Sequence, residues 1–238
     1  MRVFEKFIFW AGNFLFPRSC ALCGESLTGA GEMRENLCED CRASVALSRD
    51  ERCGLCGKPL ISERDLCLSC REEKQRSYDR LWVLFPYTGK YRKLLTAYKF
   101  GKRIALADFL AEKIMEIIAA EPVLKDARIV PVPPRPGKIK ENGWDQVDYL
   151  VRRLEKTQKA TMPVVRCLSR KRSKVQKKLN RLERMENLKG RICMRIPPPQ
   201  TVLLVDDVVT TGSTIQACSS VLKENGAQKV YGLCLFYN

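Results

Sequence analysis

Eight of the twelve cysteines fall in four Cys-x-x-Cys pairs: Cys20/Cys23, Cys38/Cys41, Cys53/Cys56 and Cys67/Cys70. Two thiolates at that spacing can close on one metal ion. Four complete the tetrahedron that zinc takes in a structural site, so the eight are expected to make two closed, all-thiolate centres. Gly24 and Gly57 each follow the second cysteine of a pair, where a tight knuckle must turn. The segments between the pairs are short and polar, so metal binding must supply the folding energy, on the order of 10–16 kcal/mol per zinc. Iron–sulfur ligation is the rival reading. Redox pairs of the thioredoxin type occur singly within a βαβ pattern, not four times in loops. Spacing alone leaves both sequential pairing (20/23 with 38/41, 53/56 with 67/70) and a cross-brace open. The remaining Cys167, Cys193, Cys218 and Cys234 are scattered and read as packing residues.

A second chemistry is written into residues 201–214. Val202–Val205 is a short aliphatic run that predicts a buried parallel strand. Asp206 and Asp207 stand at its carboxyl end, and Thr210-Thr211-Gly212-Ser213-Thr214 follows as a small, hydroxyl-rich turn. Ile215, Cys218, Val221 and Leu222 then recur at helical spacing up to Gly226. Small residues let the main chain approach an anion, and free amides at a helix start point at it. The helix dipole adds only ~0.3–2 kcal/mol, so direct hydrogen bonds must carry the affinity. Two adjacent carboxylates suit sugar hydroxyls, or a metal ion held by the sugar. An ordinary N-cap needs a single Ser or Thr; this stretch offers four hydroxyls, a glycine and two acids.

The elements that must position these groups follow in chain order. Phe4, Phe7, Ile8, Ala11, Phe14 and Leu15 predict an amphipathic helix over residues 1–19, closed by Pro17. It is too short and interrupted for a bilayer span or a secretory signal, and is expected to pack on the protein itself. The zinc module occupies 20–75 and an α/β domain 76–238. Within the latter, Leu81–Tyr87 reads as a strand, and Tyr91, Leu94, Leu95 and Tyr98 share a helical face. A longer helix spans roughly 104–120, and Arg128–Val132 reads as a second strand. Strands alternating with helices argue for a mostly parallel twisted sheet covered on both faces. The proline-rich turn after Val132 lies at a strand's carboxyl end, where a second anion site would sit. Val147, Leu150, Val151 and Leu154 form the apolar face of a further helix, and Trp144 just before it reads as a partly buried core aromatic or a stacking platform for a base.

The chain has 238 residues, 45% of them hydrophobic, and carries a net charge of +16 with no histidine. The missing histidine excludes Ser-His-Asp triads, imidazole acid/base steps and His-ligated metals. The charge favours polyanions such as nucleic acid, or an anionic membrane surface. From Arg166 to Arg195 twelve Lys/Arg stand against two Glu, in a connection that is either a solvated hood or a polyanion-binding arm. The cysteine spacing suits a reducing cytoplasm better than a disulfide framework.

The run through Thr214 resembles the phosphoribosyl-pyrophosphate (PRPP) motif of type I phosphoribosyltransferases. That resemblance implies a fold of that type, with Thr210, Thr211, Gly212, Ser213 and Thr214 on the 5′-phosphate and Asp206 and Asp207 on the ribose hydroxyls. It also implies a pyrophosphate loop after Val132, with Arg135 and Lys138 as candidate ligands beside magnesium. A narrower resemblance covers essentially the whole chain. Tyr98-Lys99-Phe100, Asn142-Gly143-Trp144-Asp145-Gln146, Ser173-x-x-Gln176-x-x-Leu179, Arg184-x-x-Asn187-Leu188-x-Gly190 and the cysteine module are similar, in order, to the ComF-type proteins of bacterial DNA uptake. The family's usual R-G-F-N-Q reads Asn-Gly-Trp-Asp-Gln here. The resemblance implies a cytoplasmic protein that handles incoming single-stranded DNA, alone or with DNA-uptake proteins, and binds PRPP or a related sugar phosphate. An active nucleobase phosphoribosyltransferase is the alternative it leaves open.

Overall fold

The computed structural model describes residues 18–47, 51–72, 76–157, 162–172 and 190–238. The helix expected over 1–19 lies almost entirely outside them, as do residues 173–189 of the basic insert. Two compact units are present: Met1–Ala46 with Thr88–Phe109, and Leu47–Tyr87 with Leu110–Asn238.

In the second unit, four strands form one parallel sheet: β1 (Arg80–Pro86), β2 (Arg128–Pro131), β5 (Thr201–Val209) and β6 (Lys229–Tyr237), in the order β1-β6-β5-β2. The α/β fold with a parallel sheet is thus as expected. β3 (Leu168–Arg170) and β4 (Ile192–Met194) make a separate antiparallel pair flanking the basic insert. β5 and β6 are near-continuous apolar runs because helices cover both faces of the sheet. Val202, Leu203, Leu204, Val205, Val230, Leu233, Leu235 and Phe236 are all fully buried. At about 1.5–3 kcal/mol per buried aliphatic or aromatic side chain, these central strands hold the unit together. Gly232 in mid-β6 lets Leu81 pack closely, since a Cβ there would stand 2.7 Å from Leu81 Cδ1 and push that side chain aside.

Helix α8 (Ser213–Glu224) buries Ile215, Ala217, Cys218, Val221 and Leu222, and packs against β4, β5 and β6. Helix α7 (Gln146–Thr157) packs on β5 and β2, its buried stripe being Val147, Leu150, Val151 and Leu154. A five-residue helix not foreseen in the sequence, α6 (Lys138–Asn142), follows the proline-rich turn. It lies between Gly137 and Gly143, both in the left-handed conformation (φ 89° and 80°) that glycine adopts freely. The short helix α3 (Leu68–Glu72) carries Cys70 of the second cysteine cluster.

The first unit holds the short helices α1 (Ala30–Glu35) and α2 (Glu39–Ser44), then α4 (Gly89–Lys99) and the start of α5 (Leu106–Ala120). Leu94, Leu95 and Tyr98 are the buried face of α4. Arg103 donates to Ser19 Oγ at 3.1 Å, Tyr91 Oη donates to the carbonyl of Ala46 at 3.2 Å, and the guanidinium of Arg42 lies 5.8 Å from the Phe109 ring centroid. These contacts fasten the first cysteine module to α4 and α5.

Two boundaries differ from expectation. β5 runs four residues beyond Val205, so the acid pair sits inside the strand rather than after it. The cause is continued parallel pairing, Asp206 with Cys234 and Val208 with Phe236. α5 starts at Leu106 instead of Ile104, which is 45% exposed, because Lys102 takes a left-handed φ of 50° and turns the chain.

Candidate functional site

The thiols gather as Cys20, Cys23, Cys38 and Cys41, and as Cys53, Cys56, Cys67 and Cys70, with all four Sγ atoms of each group within 4.8 Å of one another. Pairing is therefore sequential, and the cross-brace is excluded. Cys23 Sγ lies 3.7 Å from Cys38 Sγ, and Cys56 Sγ 3.7 Å from Cys67 Sγ. A tetrahedron with metal–sulfur bonds of ~2.3 Å has edges of about 3.8 Å, whereas a disulfide needs about 2.05 Å. The eight cysteines fit two structural zinc ions and no disulfide. Burial would raise the thiols of Cys20 and Cys53, but backbone N–H groups outweigh it. Those of Cys23, Cys38 and Leu22 bring Cys20 to about 6; those of Cys56, Cys67 and Leu55 bring Cys53 to about 7. The knuckle amides thus prepare one thiolate in each cluster for a cation.

The second cluster is anchored to the sheet of its own unit. Leu81 N of β1 donates to the carbonyl of Leu55 at 2.8 Å, and Leu55 packs against the sheet's apolar core. Gly57, with φ 70°, allows this approach; a Cβ there would stand 2.5 Å from the Leu81 carbonyl oxygen.

At the carboxyl end of β5, Asp206 and Asp207 are both nearly buried, 9% and 8% exposed. These two carboxylates meet different neighbours. Asp207 accepts from Gln146 Nε2 at the start of α7, while Asp206 Oδ1 accepts the Asp207 amide at 2.8 Å. Asp206 also bears on the buried Cys218 of α8, whose thiol is raised chiefly by desolvation and further by that carboxylate. Arg170, at the end of β3, is half-buried; burial lowers its pKa, and Cys218 and Asp206 partly offset this while Arg191 and Arg135 reinforce it. Arginines from the β3–β4 pair and the β2 loop therefore share one electrostatic neighbourhood with an acid of β5.

The loop after β5 turns at Gly212 (φ 75°), the N-cap of α8, which has no side chain to cap the first-turn amides. Thr211 Oγ1 and Ser213 Oγ are 2.7 Å apart, and Ser213 is buried while Thr214 is half-exposed. Beside the loop lies a cavity of about 170 Å³, lined by Thr210, Thr211 and Gly212 together with Lys58, Arg76 and Tyr78. In the loop after β2, Arg135 is exposed and ion-paired with Glu141 through both guanidinium nitrogens. Lys138 Nζ lies 2.6 Å from Asp145 Oδ2, and Asp145 caps α7 by accepting the Asp148 amide at 2.8 Å. Trp144 is half-buried, edge-on to Tyr149 with ring centroids 6.0 Å apart.

Four residues at these sites are not singled out by their sequence context for the places they occupy. Gln146 stands within the Asn142–Gln146 motif and carries that much signal. Arg170 is one base among twelve. Lys58 and Arg76 lie more than 130 residues from the loop they approach, and no local pattern announces such a neighbour. Among the described residues, no helix is long and apolar enough to cross a membrane.

Comparison with known proteins bears on the whole chain. The double zinc ribbon domain matches residues 11–72. "Competence protein ComFC" of Streptococcus pneumoniae is 27% identical over 225 residues, covering 89% of this chain and 96% of that protein. "DNA utilization protein YhgH" of Escherichia coli K12 is 27% identical over 218 residues, covering 84% and 96%. A solved chain described as "Analysis of an invariant aspartic acid in HPRTs-asparagine mutant" overlaps 55% of this chain and 63% of its own, at 15% identity and a TM-score of 0.33. With two four-cysteine centres in sequential pairing and a double zinc ribbon match, the chain is similar over nearly its full length to the ComFC and YhgH proteins.

Proposed function

We propose that this protein handles single-stranded DNA in the cytoplasm during DNA uptake, and that its α/β domain binds PRPP or a closely related sugar phosphate. The observation that carries the PRPP reading is the juxtaposition at the carboxyl end of β5: two nearly buried acids, a glycine-turned hydroxyl loop and an uncapped helix start. In this reading Thr210–Thr214 hold the 5′-phosphate and Asp206 and Asp207 the ribose. Arg135 and Lys138 meet the pyrophosphate with magnesium once their present partners Glu141 and Asp145 give way. The DNA reading draws on similarity to proteins named for competence and DNA utilization and on a net charge of +16. Partner proteins of a DNA-uptake apparatus belong to the same reading.

Titration calorimetry with PRPP and magnesium tests the small-ligand half. Asp206→Asn and Asp207→Asn should each weaken binding at least tenfold, since each loses a charged hydrogen-bond acceptor; unchanged affinity would overturn the ribose assignment. Fluorescence anisotropy with labelled single strands at low salt tests the other half, and no binding there would overturn it.

A second reading, an active nucleobase phosphoribosyltransferase, is favoured by the same acids and loop. Attack at C1 of PRPP with loss of pyrophosphate needs positioning and electrostatics more than an imidazole. Pyrophosphate release across a panel of bases distinguishes it from a binding role.

A further inference from the structure

We propose that the second zinc ribbon forms a wall of the phosphate subsite, with Lys58 on its knuckle and Arg76 just beyond it supplying the cations that meet the ligand's phosphate. This inference rests on the reading of the Thr210–Thr214 loop as a phosphate cradle, and it extends the site to residues no phosphate motif contains.

The cavity beside the loop is lined by Thr210, Thr211 and Gly212 and also by Lys58 and Arg76, and among the described residues no carboxylate lines it. At about 170 Å³ it is smaller than the roughly 300 Å³ at which pockets for whole small molecules begin, so it suits one group of a ligand rather than all of it. A Cβ at Gly212 would lie 3.8 Å from Arg76 Nη1 and 3.8 Å from the Tyr78 hydroxyl. The guanidinium therefore lies close to the Gly212 turn, in the same cavity as the loop. Lys58 is exposed, and its ammonium makes no ion pair or hydrogen bond among the described residues. Its place is fixed by the knuckle. Cys53 N donates to the carbonyl of Lys58 at 2.8 Å, Gly57 N donates to the carbonyl of Cys53 at 3.0 Å, and the knuckle is tied to β1 through Leu55. Folding of this knuckle depends on its metal, so occupancy of the second zinc site and the position of Lys58 are linked.

A competing role exists for the same cations. Cys56, Cys67 and Cys70 also line the cavity, and four thiolates around a divalent zinc carry a net negative charge that Lys58 and Arg76 would offset. The two roles separate experimentally. Ribose 5-phosphate, which lacks the pyrophosphate, is titrated calorimetrically into the full-length zinc-loaded protein and its Lys58→Ala, Lys58→Arg and Arg76→Ala variants, with zinc content measured on each. Lys58→Ala and Arg76→Ala should each weaken binding about tenfold or more, as loss of a charged hydrogen bond does, with two zinc per chain retained. Lys58→Arg should restore most of the affinity. Unchanged affinity in both alanine variants, or loss of the second zinc in parallel with phosphate affinity, would overturn the proposal. If the unsubstituted protein bound neither ribose 5-phosphate nor PRPP, the cradle reading itself would fail, which is a different result from its binding both while the alanine variants bind equally well.

Discussion

Asp145 does two jobs with one carboxylate. Oδ1 accepts the Asp148 amide at 2.8 Å and caps α7, while Oδ2 holds Lys138 at 2.6 Å. Its side chain is 2% exposed and that of Lys138 16%, so this is a largely dehydrated pair. Breaking such a pair from one side costs more than the pair contributes, because the remaining charge is left without compensation. An asparagine here would also cap the helix well but could not neutralise a lysine. Asp145→Asn should therefore keep the cap and lose the ion pair, and Asp145→Ala should lose both. We expect Asp145→Ala to be the less stable of the two by about 1 kcal/mol, the usual worth of an N-cap. Denaturant melts of both variants at neutral pH measure the difference, and equal midpoints would show that the cap contributes nothing here. The same substitution releases Lys138 from its partner, which makes Asp145→Asn informative in PRPP titrations as well.

At the scale of elements, the sheet of the second unit is held at its start and along its β1 edge. Asp79, just before β1, accepts the Val230 amide at 2.8 Å and Lys223 Nζ at 2.9 Å, with Lys229 Nζ at 3.4 Å. Burial would raise its pKa, but the Val230 amide and the two lysines outweigh that and hold it below the ordinary carboxylate value. A depressed carboxylate stabilises the fold above its unfolded pKa of ~3.9, and that stabilisation fades as pH falls through the lower folded value. Asp79→Asn should thus melt earlier than the parent at pH 6–7, with the gap closing as pH drops below about 4; a gap independent of pH would contradict the linkage. Along the edge, Gly57→Ala meets both a left-handed φ of 70° and a backbone oxygen at 2.5 Å. Something must shift, and we expect a loss of about 2 kcal/mol or more from strain together with the displaced Leu81–Leu55 hydrogen bond. Gly24, with φ 85° and nothing within 4 Å of its would-be Cβ, pays only the strain. Comparing the thermal melts of the two alanine variants isolates the attachment of the knuckle to β1. In sequence Gly24 and Gly57 look alike, because spacing reveals a knuckle but not what the knuckle rests on. For the same reason strands, helices and both cysteine clusters are legible from local periodicity and spacing, while the field of Asp206 felt at Arg170 and the cavity shared by Lys58 and Thr210 depend on how distant segments pack. The placing of Asp206 and Asp207 inside β5 can be foreseen only by extending the strand through them, and no residue in the apolar run marks where it stops.

For the molecule as a whole, the question is how a charge of +16 is spent. Several bases are already paired. Arg152 and Arg166 lie on Asp148, Arg166 also on Glu155, Arg80 on Glu121, Arg135 on Glu141, and Lys223 and Lys229 on Asp79. Exposed pairs of this kind add little to stability, typically 0–1 kcal/mol, but they remove those cations from the pool available to a polyanion. Much of the surplus is concentrated in the connection from Arg166 to Arg195, with its twelve bases against two acids. If that connection meets a single strand, each phosphate it neutralises steepens the fall of log K with log salt by about 0.7. Lys171 and Arg172 are exposed and lie outside the acid pair and the phosphate loop. Replacing both by Ala should therefore flatten the salt slope by up to about 1.4 and weaken binding to all strand sequences alike, as loss of phosphate contacts does. PRPP affinity, which in the proposed reading draws on other residues, should stay within about twofold of the parent, a shift well under the ~1.4 kcal/mol of a tenfold change. Anisotropy titrations at four or five salt concentrations supply the slope, and calorimetry supplies the PRPP control. A slope that is unchanged while the parent's is steep would move the DNA path off this part of the connection and onto another basic face. A parent slope near zero would contradict electrostatic binding to nucleic acid altogether.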